Sequence, residues 1–475
     1  NEVNLLPDTL VTIASYILPL FAIIVLIRCM RSMLGNKTQT EIWGYIHKDD
    51  GVALINHWEN LIGRSKSADI CLPYASVSRV HAVLIRSPKG VWRIFDIFSK
   101  GGVWVNGEKV QATGTVVRDG DVLNLAGNSV RFRDISEKQR DAIEARRTQS
   151  WKRVHPAVTL FFLTIFQAIL LLEHLCTAES EYLAGIMLGF VLLVLLEWFC
   201  YFAMRSIRRT GFEVETLAFF LSSIGLSVIA SSVPDEMFRQ MIIVFAGVVA
   251  FFVLGWWLRD LDRTKTMRLP LAILSVLILG AVLVIGREQY GAKNWIFIGS
   301  MSIQPSEFVK VAFIYVGAAT LDRLFSTKNL ILFIVFSALC VICLIATVAL
   351  AITGAGMAGF LMLKMKDHVA RRFATWGHIW DAENIWDGGY QQTHALSAGA
   401  SGGLFGKGAG NGWLKNTFAG NTDTVFGVMC EELGLIIAIC AVLAILALAF
   451  FAVRNSGHGR SAYYSIAACA TASMF

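Results

Sequence analysis

The sequence predicts a polytopic α-helical membrane protein with an all-β sandwich inserted near its N-terminal end. Three observations predict it. Hydrophobic residues make up 55% of the 475 and charged residues only 16%, and the mean hydropathy is +0.58, a balance that long apolar segments produce. Apolar runs of the roughly 20 residues that span a bilayer recur near 10–29, 156–172, 182–203, 213–231, 238–258, 269–286, 304–320, 329–363, 433–453 and 462–475. Residues 43–134 break the pattern with short alternating stretches, "HAVLIRS", "VWRIFDIF" and "SVRFRD", set apart by the turn signals "SPKG", "VNGEK" and "RDGD", as half-buried strands would be.

The first run, 10–27, is too long for the apolar part of a cleavable signal. Acidic Glu2 and Asp8 precede it where a signal carries positive charge, so residues 1–42 read as an N-terminal anchor. The net charge of +7 does not point to nucleic acid. Its basic residues sit beside the spans: Arg28, Arg31 and Lys37, then Arg205, Arg208 and Arg209, then Arg259, Arg263, Lys265 and Arg268. Such clusters mark cytoplasmic turns. The N-terminus is therefore expected outside and the sandwich, 43–134, in the cytoplasm. Asn106-Gly107 within it is a hairpin signature, because both central residues of a type I′ turn need positive φ. Residues 135–155 form a charged linker, 156–211 hold two extra spans, and 212–475 form the membrane core with a long loop at 364–432. The connections 173–181 and 232–237 are acidic, lack Lys and Arg, and should face outward.

The mouth of the run at 304–320 carries charge. Gln304 stands at an expected N-cap, Pro305 at the first helical position and Glu307 at the third, where a carboxylate meets the positive helix end. Lys310, three residues on, shares its face. Charges at such a mouth usually line a bundle interior or a water-filled cavity. In the 364–432 loop, "GGLFGKGAGNGW" looks superficially like a phosphate loop, but no strand precedes it and Gly408 follows Lys407. The Walker pattern is absent, and the glycines suit tight turns and close packing. The nine cysteines are scattered, mostly in spans, and imply no disulfide framework. Cys340 and Cys343 make a CxxC inside an apolar helix, where packing is the simpler account.

The motifs "GRSKSADICLP", "SVSRVHA" and "DIFSKGGVWVNG", in that order, resemble the forkhead-associated (FHA) domain, a phosphothreonine-binding sandwich. The resemblance implies that Arg64 and Ser78 hold phosphate, with Arg79 and Asn106 at the phosphopeptide and His81 as structural support. A guanidinium with a hydroxyl donor suits a phosphate dianion. The family usually has Asn where Gly101 stands, an Asn that steadies the recognition loop and contacts peptide backbone. Altered affinity or specificity is one expectation and a degenerate scaffold domain the other.

From about residue 212, "GAKNWIFIGSMSIQPSEFVK", "GGYQQTHALSAGASGGLFGKGAGNGWLKN" and "NTDTVFGVMCEELG" resemble the SEDS family (shape, elongation, division and sporulation), polytopic peptidoglycan glycosyltransferases. The resemblance implies polymerisation of lipid II outside the membrane. The 4-hydroxyl of one disaccharide attacks the anomeric carbon of another and expels undecaprenyl pyrophosphate with inversion. That step needs a carboxylate base and, at the pyrophosphate, positive charge or a divalent cation. The family's Asp usually stands about six residues before the Tyr of Gly-Tyr-Gln, where this chain has Asn384. Asp387 or Asp381 is then the base, or the base is absent. Glu307, Lys310 and Gln304 would support the site, with Tyr390, Gln391 and Asp423 at family positions. Lys364, Lys366, Arg371, Arg372 and Lys407 are the basic candidates, and Glu431 and Glu432 are expected at the next helix start. By resemblance, a class B penicillin-binding transpeptidase is the partner outside and a phosphothreonine protein the partner inside. A lipid-linked precursor transporter and a non-catalytic scaffold are the alternatives.

Counting crossings exposes a fault. If 433–453 is one span, 329–363 must cross an odd number of times, yet it is too long for one span and has no charged hairpin for two. Residues missing near 345–348 and after 475 would resolve the count.

Overall fold

A computed structural model describes residues 5–35, 41–87, 89–148, 154–207, 209, 211–289, 292–298, 301–321, 327–353, 375, 377–417, 420–456, 459 and 461–473. The helices, numbered over these residues, are α1 (Leu5–Gly35), α2 (Glu137–Thr148), α3 (Pro156–Thr177), α4 (Leu183–Ser206), α5 (Glu213–Ser232), α6 (Met237–Trp257), α7 (Leu261–Thr266), α8 (Arg268–Ile285), α9 (Pro305–Thr320), α10 (Thr327–Thr353), α11 (Tyr390–Gly402), α12 (Val425–Leu433), α13 (Leu435–Ser456) and α14 (Ala462–Ala472). Among the described residues eight helices are long and apolar enough to cross a membrane, so the chain is a multi-pass membrane protein. Their exposed sides carry Phe199, Ile242, Leu277 and Ile331, which water would penalise as a patch and lipid would not.

One expected span is shorter than read from the sequence. α9 has 16 residues, below the roughly 20 needed, and α14 is described over 11. α10 runs unbroken through 345–348 over 27 residues, and 354–363 lie outside the described residues. Residues 287–303 hold an element the periodicity did not announce, a three-stranded antiparallel sheet of β12 (Arg287–Gln289), β13 (Ala292–Ile298) and β14 (Met301–Ile303).

The chain divides into two compact units. The first comprises Asn1–Lys37, Arg147–Leu254 and Met362–Phe451. Its core joins Leu18, Val25, Leu163, Phe166, Phe190, Phe220 and Ile437. Within it, buried Gln167 donates to Glu197 at 2.8 Å and to Ser223 at 2.9 Å, and Thr164 donates to Glu197 at 3.0 Å. This polar network joins α3, α4 and α5, as intramembrane polar groups pair across helices.

The second unit comprises Thr38–Arg146, Gly255–Leu361 and Ala452–Phe475. It contains the expected sandwich: β1 (Gly44–Lys48), β2 (Gly51–Ile55), β3 (Glu59–Gly63), β4 (Ile70–Cys71), β5 (Ala82–Arg86), β6 (Trp92–Asp96), β7 (Val103–Val105), β8 (Glu108–Lys109), β9 (Thr115–Val117), β10 (Val122–Leu125) and β11 (Asn128–Asp134). One sheet runs β2-β1-β11-β10-β7-β8 and the other β4-β3-β5-β6-β9. Alternation puts Val130 and Phe132 of β11 inward and Arg131 and Arg133 outward, the period-2 reading of a half-buried strand. Ile46, Ile62, Leu84, Ile94 and Leu123 fill the middle, and Leu261, Ala318, Ala319 and Tyr463 join the same core. The Asn106-Gly107 hairpin is present, with φ of 50° and 89°.

Candidate functional site

Two sites matter, one in each unit. In the sandwich, Arg64 and Ser78 lie on adjacent loop ends, with Arg64 N–H donating to Ser78 O at 2.9 Å and Ser65 N–H to Arg79 O at 3.2 Å. The Arg64 and Arg79 side chains are exposed. His81 is wholly buried; its Nδ1 accepts from Ser78 N–H at 3.0 Å and its Nε2 meets Gly102 O at 2.9 Å. The ring therefore spaces the two loops, the supporting part expected of it. Ser78 Oγ accepts from Lys100 N–H at 3.2 Å, which turns the Lys100 loop toward it. Asn106 has a structural part: its amide donates to Asp121 at 2.9 Å and its oxygen accepts from Val122 N–H at 2.9 Å, which ties the hairpin to β10.

Gly101 has a physical reason. A Cβ there would stand 2.2 Å from Ala126 Cβ, so an Asn could enter only if the 126 turn moved. The loop is held from elsewhere: Asn128 Nδ2 donates to Ser76 Oγ at 2.8 Å and also to Leu125 O and Ala126 O.

In the first unit the 375–434 segment is organised by side chains on its own helices. Asn384 Nδ2 donates to His378 O at 2.8 Å, and its backbone carbonyl accepts from Asp387 N–H and Gly389 N–H. A carboxylate at 384 could not make the first of these bonds, so this position is spent on the turn. Asp381 and Asp387 are both exposed. Asp381 lies 3.5 Å from His378 Nδ1. Asp387 sits between Trp386 and the start of α11, where Trp386, Tyr390 and His394 recur every fourth residue. Tyr390 and His394 rings are 3.9 Å apart, Trp386 meets His394 edge-on at 5.5 Å, and Trp413 meets it at 5.6 Å. Trp386 is 75% exposed. Gln391 is half-buried in α11, and Asp423 is exposed just before α12.

The Gly-rich loop does gather anions, but they are its own. Glu431 is fully buried and accepts from Trp413 N–H at 3.1 Å, Leu414 N–H at 3.0 Å and Lys407 Nζ at 2.8 Å. Glu432 accepts from Gly410 N–H at 3.0 Å, Gly412 N–H at 3.2 Å and Ser231 Oγ at 2.6 Å. Burial pushes the Glu432 carboxyl above its ordinary value, opposed by those donors and by Lys415. The two glutamates thus end α12 rather than open the helix after it, and the ammonium of Lys407 is committed to Glu431. At Gly406, φ is +83° and a Cβ would stand 2.2 Å from Glu432 O, which only glycine tolerates. Glu173, expected in an outward loop, instead lies buried in the last turn of α3.

Glu307 and Lys310, in the second unit, pair with each other at 2.7 Å, each about half exposed. Gln304 is the N-cap residue with extended backbone, without a side-chain cap bond, and Pro305 opens the helix. Lys364, Lys366, Arg371 and Arg372 lie outside the described residues.

The sequence profile of the FtsW, RodA and SpoVE cell cycle proteins matches residues 214–365 and 324–475, together more than half of the chain. The chain belongs to this family. Both matched runs of the FtsW, RodA and SpoVE profile include 324–365, the stretch in which the crossing count fails. The probable peptidoglycan glycosyltransferase FtsW of Aeromonas salmonicida is 26% identical over 284 residues, 51% of this chain and 72% of that protein. Stage V sporulation protein E of Bacillus subtilis is 30% identical over 236 residues, 42% of this chain and 63% of that one. The FHA profile matches residues 60–126, so the sandwich is an FHA domain. A structure solved to study phosphothreonine-dependent FHA domain interactions is 29% identical, pairing 20% of this chain with 98% of that one at a TM-score of 0.18. Against this FtsW-type background, sequence reading missed His394, Trp386 and Trp413, although the four-residue spacing of 386, 390 and 394 was a visible helical signal.

Proposed function

We propose that this chain polymerises lipid II into glycan strands outside the cytoplasmic membrane, in concert with a class B transpeptidase, while its cytoplasmic FHA domain docks a phosphothreonine protein. The observation that carries the reading is Asp387, exposed in the turn next to Trp386, whose ring clusters with those of Tyr390, His394 and Trp413. An aromatic face is a natural platform for a sugar ring, and an exposed carboxylate in the adjoining turn can take the proton of an attacking hydroxyl. In the reaction the 4-oxygen forms a bond to the anomeric carbon of the second lipid II. The bond from that carbon to the pyrophosphate oxygen breaks, its electron pair leaves with undecaprenyl pyrophosphate, and the proton passes to Asp387. Among the described residues no group of three or more His, Cys, Asp or Glu side chains gathers that could hold a metal ion.

Contacts support the sidedness. Segments that the charges assign to the cytoplasm meet the FHA domain: Lys265 pairs with Glu59 at 3.3 Å, and His57 Nδ1 meets Gly459 O at 3.0 Å. Segments assigned outside meet the 407–414 loop and the end of α12: Thr177 donates to Ala409 O, and Ser231 donates to Glu432.

The test is polymerisation of purified lipid II by the full chain in liposomes, with and without a class B transpeptidase, beside Asp387→Ala and Asp381→Ala. Polymer from the parent and none from Asp387→Ala supports the reading. Polymer lost only in Asp381→Ala moves the base to Asp381. An inactive parent together with transbilayer movement of lipid II would favour the transporter, and neither activity the scaffold.

A further inference from the structure

The Gly-rich loop is held by three buried carboxylates, and one of them comes from outside the residues that match the family. Glu173 on α3 is wholly buried, and its Oε2 accepts from Ala409 N–H at 2.9 Å. One turn on, Thr177 Oγ1 donates to Ala409 O at 2.8 Å. Residues four apart share a helix face, so a single turn of α3 satisfies both polar atoms of a backbone unit that is itself fully buried. The approach is close: a Cβ on Gly410 would stand 2.3 Å from Thr177 Oγ1. α1, also outside the matched residues, adds Tyr16 against Phe405, ring centroids 4.7 Å apart.

We infer that Glu173 and Thr177 are positioning residues for glycosyl transfer: α3 fixes the 407–414 loop and, through Trp413, the ring cluster beside Asp387. The inference rests on the polymerase reading above. A loop this rich in glycine has much backbone freedom to lose, and its amides need buried acceptors to stay closed. Glu431 and Glu432 supply acceptors for Gly410, Gly412, Trp413 and Leu414, whereas Ala409 is met from α3 alone among the described bonds. Truncating Glu173 orphans the Ala409 N–H, while Gln keeps an acceptor oxygen in the same place.

The experiment uses the full chain in liposomes with Glu173→Ala, Glu173→Gln and Thr177→Val. One readout is the rate of tryptic cleavage after Lys407 and Lys415, which follows the open fraction of the loop. The other is lipid II polymerisation, separated into kcat and KM. Glu173→Ala is expected to raise cleavage and lower kcat, each by about tenfold, the effect of one lost buried hydrogen bond. KM should hold, and Glu173→Gln should stay within about threefold of the parent on both readouts. Should Glu173→Ala fail to reach the membrane, Thr177→Val reads the same bond pair more gently. Parental cleavage and turnover in Glu173→Ala would overturn the inference, as would Glu173→Gln behaving like the alanine variant. If the parent makes no polymer, the polymerase reading fails and cleavage alone decides whether α3 holds the loop.

Discussion

Replacing Glu431 with Ala removes the acceptor of two backbone donors, Trp413 N–H and Leu414 N–H, and the partner of Lys407. Each orphaned donor costs about 1–3 kcal/mol. A third of the Lys407 side chain is open to solvent, so its pair is valued near the surface figure of about 1 kcal/mol. Together these give roughly 3–7 kcal/mol of lost closure for the 407–414 loop. Gln at 431 can place its oxygen where Oε2 accepts both amides, leaving only the Lys407 pair unmet, a loss of about 1 kcal/mol. Hydrogen exchange read by mass spectrometry on peptides spanning 409–416 separates the two. Even the lower limit of 3 kcal/mol means about a hundredfold faster exchange in Glu431→Ala, against less than about tenfold in Glu431→Gln. Equal exchange in parent and Glu431→Ala would refute the reasoning, and so would matching acceleration in both variants.

Three further outcomes are expected. Arg64→Ala should weaken a phosphothreonine peptide by at least about tenfold, the loss of a charge-assisted bond, in fluorescence anisotropy on the full chain, with the unphosphorylated peptide binding neither protein. For Glu432, a folded-state value above the ordinary carboxylate value means the folded chain holds the extra proton. Its contribution is complete below the ordinary value and lost as pH rises through the raised one. The apparent melting temperature in detergent should therefore fall across that window, and Glu432→Gln should flatten the slope while starting lower by the loss of an acceptor. Gly406→Ala combines a left-handed backbone, about 1–2 kcal/mol for an L residue, with overlap on Glu432 O. It should leave the loop open to protease, while Gly247→Ala in α6, with nothing near its Cβ, should not.

What could be read from the sequence follows from range. The FHA strands were legible because alternation and turn residues act locally, as Asn106-Gly107 does. The start of α9 was legible for the same reason: Pro305 fixes it, and Glu307 meets Lys310 one turn on. Glu431 and Glu432 were placed at the wrong end of a helix because Gly434, with φ of +85°, breaks the chain between α12 and α13, and an apolar run does not announce such a break. Glu173 read as an outward loop residue because its partner, Ala409, is 236 residues away. No local signal reports a bond of that span. Asn384 looked like a missing base. Its amide bond to His378 O depends on a turn that spacing alone does not describe.

The FHA core does not end at the sandwich. Tyr463, Leu261, Ala318 and Ala319 complete it, and Glu59, nearly buried, accepts from both Lys265 and Ala462 N–H. A phosphopeptide that binds the folded sandwich at a hundred times its dissociation constant adds about 2.7 kcal/mol to whatever unfolds with it. Here that includes α7, the end of α9 and the start of α14. Ligand occupancy of the sandwich would therefore register as greater heat resistance in α7, α9 and α14, and a sandwich cut away from them would carry a bare apolar side into water.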